Sequence, residues 1–308
     1  MDSAKAAPPA RRVRVLLNAN AGRKAGIPTN NPAPDLVREA MARHGLGDEL
    51  TVTASEAEAI EATRDAVARG YDVVAGAGGD GTLDVIAECL LYAPTALGII
   101  PLGSVMNVAR MLGVPRDLDA AMAIVAGGPV RRIDVGEANG VIFLEGGSVG
   151  LNAAVFHEMQ RMDDGDYGSV VDALRVMLRY KPPRMIVALD DRVLTTRALA
   201  VAVANGPYSG MGFTIAPDAA LADGKFDVVV YSGFSRLELI RHFGGTAFGR
   251  RRASAKITTY RSAWVRIAGR HPMPCHADAH DLGSTPVEYR ILPGALRVVA
   301  PPEAATPG

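Results

Sequence analysis

Five consecutive residues, Gly78-Gly79-Asp80-Gly81-Thr82, carry the clearest chemical signal in the chain. The run from Tyr71 to Ala75 before them reads as a buried strand. Leu83, Ile86, Ala87 and Leu90 after them keep the i, i+3, i+4, i+7 spacing of a helix face. A glycine turn between strand and helix lets backbone approach a ligand closely. It also points the helix's unpartnered amides outward, which is an arrangement that binds phosphate. Asp80 alone would repel phosphate, so it calls for a bridging cation or for a hydroxyl to be held or deprotonated. A tight turn with a polar tip is the bland alternative, and the strand–turn–helix context weighs against it.

Other segments can join that site. Val13 to Leu17 is apolar and exits into Asn18-Ala19-Asn20-Ala21-Gly22, where Asn18 can bond neighbouring loops and Gly22 permits a turn. Thr53 ends the next strand. Pro101-Leu102-Gly103-Ser104-Val105-Met106-Asn107 is a second glycine turn opening a helix, with Ser104 as a cap and Asn107 able to reach back. Two such turns side by side would clamp a triphosphate. Further on, Asp223 and Asp227 flank Gly224 and offer hard oxygen ligands suited to Mg²⁺ or Ca²⁺, while a plain Asp-Gly hairpin explains them equally well. His280 can take a proton near neutrality. His271, Cys275, His276, Asp278 and His280 fall close enough to admit a zinc reading, which Pro272 and Pro274 and the lack of paired cysteines disfavour.

These motifs, in this order, resemble the diacylglycerol kinase catalytic fold, shared by sphingosine and ceramide kinases and distantly by NAD kinases. The closest likeness is to the bacterial lipid kinases, from about Arg12 to about Val299. The resemblance implies ATP and Mg²⁺ as cofactors and a lipid hydroxyl, diacylglycerol-like or sphingoid-like, as acceptor. It implies nucleotide contacts at Asn18, Gly22, Thr53, Gly78, Gly79, Asp80, Gly81, Thr82, Gly103, Ser104 and Asn107, and a metal at Asp223 and Asp227. The chain departs from the family in three places. Ala19 replaces a proline, and Asp84-Val85 stand where Asn-Glu is usual. Asp278-Ala279-His280 replace Asp-Gly-Glu, whose Glu is the expected base, so that His280, Asp278 or Asp80 becomes the base expected here. An NAD kinase-like enzyme and a non-catalytic nucleotide- or lipid-binding protein are the alternatives.

Composition narrows the rest. The 308 residues suggest two domains, and 33 basic against 33 acidic residues give no electrostatic footprint for nucleic acid. Two cysteines, Cys89 and Cys275, favour a reducing, cytoplasmic compartment. Residues 1–12 lack the apolar core of a signal peptide. The uncharged stretches 89–109 and 198–217 are broken by Pro, Gly and Asn, so no transmembrane segment is expected. Arg241, His242, Arg250, Arg251, Arg252 and Lys256 could meet anionic headgroups at the inner face of a membrane. A homodimer is left open. Strands alternate with helices up to about residue 130, which predicts a parallel Rossmann-like sheet. After residue 131 a hairpin at Asn139-Gly140, two helices near 152–162 and 169–180, and many short strands predict an antiparallel β-sandwich. The expected division is 12–130 for nucleotide and 131–300 for lipid, with loose ends at 1–11 and 301–308.

Overall fold

A computed structural model describes residues 11–20, 23–24, 27–28, 34–155, 175, 179–235, 238 and 255–302. Gly22, most of the helices expected at 152–162 and 169–180, and all of the basic run except Lys256 lie outside the described residues, as do the ends 1–10 and 303–308.

The first half alternates strands and helices. In chain order it runs β1 (Val13–Asn18), β2 (Arg23–Lys24), β3 (Ile27–Pro28), α1 (Pro34–Arg43), β4 (Leu50–Thr53) and α2 (Glu56–Ala68). It continues with β5 (Val73–Gly78), α3 (Asp80–Leu90), β6 (Ala96–Pro101), α4 (Asn107–Met111) and α5 (Leu118–Gly127). Strands β4, β1, β5 and β6 lie side by side and parallel. The side chains of β1, β5 and β6 are buried on both faces: Leu16, Val74 and Leu97 pack towards α2 and α3, while Val15, Ala75 and Ile100 pack with α1 and α5. The helix ends follow local chemistry. Ser55 accepts from Glu58 N and caps the start of α2, while the Glu58 carboxylate accepts from Ala54 N one residue before the cap. Asp117 accepts from Ala120 N and starts α5.

The second half is β-rich: β7 (Val130–Ala138), β8 (Val141–Phe143), β9 (Gly146–Gly150), β10 (Arg184–Leu189), β11 (Val193–Ala204), β12 (Tyr208–Ser209) and β13 (Phe213–Thr214). Then follow β14 (Phe226–Ser232), β15 (Ile257–Ser262), β16 (Trp264–Gly269), β17 (Pro274–Ala277), β18 (His280–Ser284) and β19 (Val287–Val299). Between β7 and β8, Asn139 and Gly140 both take positive φ, 48° and 88°, as a two-residue hairpin turn of this hand requires. Phe143 stacks on Phe226 at 5.6 Å and meets the edge of Tyr289 at 6.0 Å, at the centre of the sandwich.

The expected α/β sheet and antiparallel sandwich are both present, and two strands are longer than expected. Segments 192–195 and 198–205 form one strand, β11, with an irregularity near Ala198. Segments 287–292 and 296–299 form β19, which slips register between Leu292 and Leu296. The far end of β19 pairs parallel to β6 at Val298 and Leu97, so the last strand ties the sandwich to the parallel sheet.

Candidate active site

The parallel register brings the ends of four strands to one edge. Asn18 lies opposite Thr53, and Gly78 opposite Pro101. Ligands of open α/β sheets bind at this carboxyl edge. Asn18 Nδ2 donates to Thr82 Oγ1 at 2.9 Å, which joins the first loop to the turn after β5. Ala19 N donates to the carbonyl of buried Thr53 at 2.9 Å. The second glycine turn hangs from the first: Gly78 O accepts from Leu102 N at 3.0 Å and Gly103 N at 3.1 Å. A Cβ at Gly103 would lie 2.7 Å from Gly79 Cα and 2.8 Å from Met106 Sδ, so the two turns touch backbone to backbone. Among the described residues, no atom outside its own helix and chain neighbours lies within 4 Å of where a Cβ at Gly81 would stand, which leaves that side of the turn open to a ligand. This bare double turn fits a polyphosphate.

Asp80 binds the second turn. Its Oδ2 accepts from Asn107 N and its Oδ1 from Val108 N, both at 3.0 Å, so its carboxylate caps α4. The cap expected of Ser104 is therefore corrected: Ser104 is exposed, α4 starts three residues later, and Met106 precedes it in the left-handed conformation, φ 58°. Burial pushes the Asp80 carboxyl up, opposed by those amides and by Arg116. Arg116 Nη2 donates to the carbonyls of Gly103 and Ser104 and holds a cation beside the turn.

The residue at the centre was not singled out from the sequence. Glu145, only 6% exposed, follows β8 and bonds through its amide, its carbonyl and one carboxylate oxygen. Its Oε2 accepts from Asn107 Nδ2 at 2.8 Å and from Gly210 N at 3.0 Å. Its amide donates to Asp278, and its carbonyl accepts from Asn205 N at 2.9 Å. Asp278, at positive φ of 42°, gathers the amides of Leu144 at 2.7 Å, Glu145 at 3.2 Å and Gly146 at 2.8 Å onto its carboxylate. Asp84 is buried, and its Oδ1 has no hydrogen-bond partner among the described residues. Burial holds Asp84 and Glu145 well above the ordinary carboxylate range, and the neighbouring carboxylates reinforce this. Asp278 is pushed up to about 6 by burial, against the pull of its amide donors. Asp80, Asp84, Glu145 and Asp278 thus lie near enough to disfavour one another's charge. One cue to Glu145 was present: it is the lone charge between Glu137 and His157 in an otherwise uncharged run.

The loops of the sandwich close over these residues. Asn205 Nδ2 bonds the carbonyls of Asp134 and Leu144, and Arg110 stacks on Tyr208 at 3.6 Å while bonding Gly212 O. Buried Asp134 accepts from Gly224 N at 2.6 Å and Gly294 N at 2.7 Å, fixing the turn that follows Asp223. Asp223 itself accepts from Lys225 N at 3.0 Å and forms an ion pair with Arg261. A guanidinium on the first carboxylate of the pair does not fit a dication there, and no chemical step is routed through one. Asp227 is buried and raised by burial, with Arg261 pulling it back. His276 faces Ser148 Oγ at 2.9 Å, whereas His280 is exposed on β18 and bonds none of the four acidic side chains. Among the described residues no group of three His, Cys, Asp or Glu side chains is arranged to hold a metal, zinc included.

Comparison with known proteins shows the family and the fold. Residues 12–138 match the diacylglycerol kinase catalytic domain, and 147–300 match the YegS C-terminal NAD kinase beta sandwich-like domain. A protein of Klebsiella pneumoniae (strain 342) named "Probable lipid kinase YegS-like" is 27% identical over 92% of this chain and 94% of its own. A protein of Bacillus subtilis (strain 168) named "Diacylglycerol kinase" is 26% identical over 96% and 98%. The crystal structure of a diacylglycerol kinase from Bacillus anthracis strain Sterne shares the fold, with a TM-score of 0.75 at 19% identity, over 96% of this chain and 99% of that one. The chain belongs to the diacylglycerol kinase catalytic-domain family, in its bacterial YegS-like group, and is a lipid kinase.

Proposed function

We propose that the protein transfers the γ-phosphate of ATP to a hydroxyl of a diacylglycerol-like or sphingoid-like lipid. The observation that carries this reading is the backbone contact between the Gly79 and Gly103 turns, with the Asp80 carboxylate binding one to the other. In this reading the β- and γ-phosphates lie along the two turns, reached by the open side at Gly81 and by Thr82. Asn18 holds Thr82 in place, and Thr53 stands at the same edge for the nucleoside end. Mg²⁺ arrives with ATP as part of the substrate and offsets charge that the site's own acids cannot. Phosphoryl transfer is mainly positioning and charge stabilisation, so a rigid clamp with Arg116 on its rim is suited to it. The lipid enters from the sandwich side, where the 205–212 loop meets Glu145. Among the described residues no helix is long and apolar enough to cross a membrane, which is compatible with an enzyme that meets its lipid at the membrane surface.

The test is transfer of labelled γ-phosphate to diacylglycerol, sphingosine and NAD offered side by side, with Mg²⁺ in mixed micelles. Label in an organic-extractable product supports the reading. Label on NAD alone, or ATP binding without transfer to any of the three, would overturn it.

A further inference from the structure

We propose that Glu145 is the residue that takes the proton from the acceptor hydroxyl, a role resting on the lipid kinase reading above. The geometry supplies three reasons. One carboxylate oxygen, Oε2, is fixed by Asn107 Nδ2 and Gly210 N, while among the described residues no donor bonds Oε1. The carboxylate is thus aimed but half unused. Asn107 in turn is the first residue of α4, whose amide sits on Asp80, so Glu145 is one side chain away from the phosphate turns. Finally, Asn107 is only 1% exposed, and its Oδ1 is a buried acceptor with no donor among the described residues. A Cβ at Gly212 would lie 3.9 Å from Asn107 Oδ1, which places that oxygen against the 210–212 loop beside Glu145. Buried acceptors without donors are costly, and a substrate hydroxyl is the donor they lack.

The step balances simply. The acceptor O–H bond breaks and its proton moves to Glu145 Oε1. The freed oxygen bonds the γ-phosphorus as the bond from that phosphorus to the β–γ bridging oxygen breaks, and ADP leaves with the electron pair. Glu145 then returns its proton to solvent. The groups that set its acidity are Asp278, Asp80 and Asp84, all acidic, with neutral Asn107 opposing them. His276 faces Ser148, Arg110 is held on Tyr208 and Gly212, and Arg116 is held on the Gly103 turn. Burial among like charges therefore raises Glu145 above the ordinary carboxylate range, which makes it a stronger base than a free carboxylate. His280, exposed on the outer strand of its hairpin, has no such setting.

The experiment compares wild type, Glu145→Gln and His280→Ala in the lipid transfer assay, with ATP-analogue binding measured on each. Glu145→Gln keeps an oxygen for Asn107 and Gly210, so folding and nucleotide affinity should be retained. Its kcat should fall by about 100- to 10,000-fold, the range for loss of a general base, with KM for ATP little changed. The acidic limb of the wild-type pH–kcat profile should vanish from the residual activity, and His280→Ala should stay within about threefold of wild type, well inside one order of magnitude. A folded Glu145→Gln protein with near-normal kcat, or a pH limb lost in His280→Ala instead, overturns Glu145 as base and leaves the lipid kinase reading standing. Wild type that binds nucleotide yet labels no lipid overturns both.

Discussion

Asn107 Nδ2 lies 2.8 Å from Glu145 Oε2, and through that contact the parallel sheet and the sandwich share one site. On one side of it the Asn107 amide rests on Asp80, which belongs to the first glycine turn. On the other, the Glu145 amide rests on Asp278, which belongs to the β17–β18 hairpin. Four segments far apart in the chain are thereby fixed by hydrogen bonds to ionised or ionisable groups, which contribute about 1.5–3 kcal/mol each. Any change along this line moves both the phosphate clamp and the acceptor side.

Asp80→Asn tests the clamp. An asparagine has one oxygen for two amides, and its NH₂ must face an N–H donor, so α4 loses one of its two caps. The fold should survive with a lower melting temperature. Turnover should fall about 100-fold or more, the scale for losing one preorganised electrostatic group. Steady-state kinetics beside thermal denaturation will separate the two effects. Wild-type turnover in a folded variant would remove Asp80 from the mechanism.

Arg116→Ala tests the rim of the clamp. The guanidinium bonds the carbonyls of Gly103 and Ser104 and leaves positive charge beside the phosphate turns. Its removal should weaken ATP binding by about tenfold, or about 1.4 kcal/mol, with a smaller effect on lipid KM. Calorimetric titration with a non-hydrolysable ATP analogue measures this directly. Unchanged affinity would restrict Arg116 to a purely structural part.

The fold was legible where period and turn chemistry agreed. The strand–turn–helix units and the Asn139-Gly140 hairpin need only local information, and the structure contains them. The joined strands were harder to see. Pro293-Gly294 looks like a break, yet β19 passes through it because a ladder tolerates a slip in register between Leu292 and Leu296. Ser104 looked like a cap from its type and place, but the carboxylate of Asp80, 27 residues earlier, took the two amides at the start of α4. Glu145 was missed for the same reason: its partners Asn107, Gly210 and Asp278 stand 38, 65 and 133 residues away. Spacing along a chain cannot express contacts made only by the tertiary fold.

Asp223→Ala separates an ion pair from a metal site. Asp223 meets Arg261 at a position where the arginine side chain is 51% exposed, so the pair is worth little, about 0–1 kcal/mol. The loss on substitution should be small and equal in Mg²⁺ and in EDTA. Denaturant unfolding in both buffers gives the answer. A loss confined to the Mg²⁺ buffer would show that the cation displaces Arg261 and restore Asp223 as a ligand.

Asp84→Asn tests the acidic cluster through pH. Burial raises Asp84 above its ordinary value, with Asp278 and Asp80 adding to the shift. A carboxyl raised in the fold holds a proton that the unfolded chain has already released, so between the two values the native state binds more protons. Stability from this group is then fully present below the unfolded value and is lost as pH rises through the folded one. Asp278, pushed up to about 6, acts in the same direction between about 4 and 6. An asparagine cannot ionise and resembles the protonated acid in shape. Asp84→Asn should therefore gain stability relative to wild type at pH 8 and gain less, or nothing, at pH 5. Melting temperatures of both proteins across pH 5 to 8 provide the check. A variant that loses the same stability at every pH would mean that Asp84 is neutral throughout, and an increasing loss towards pH 8 would mean that a cation, and not burial, governs its charge.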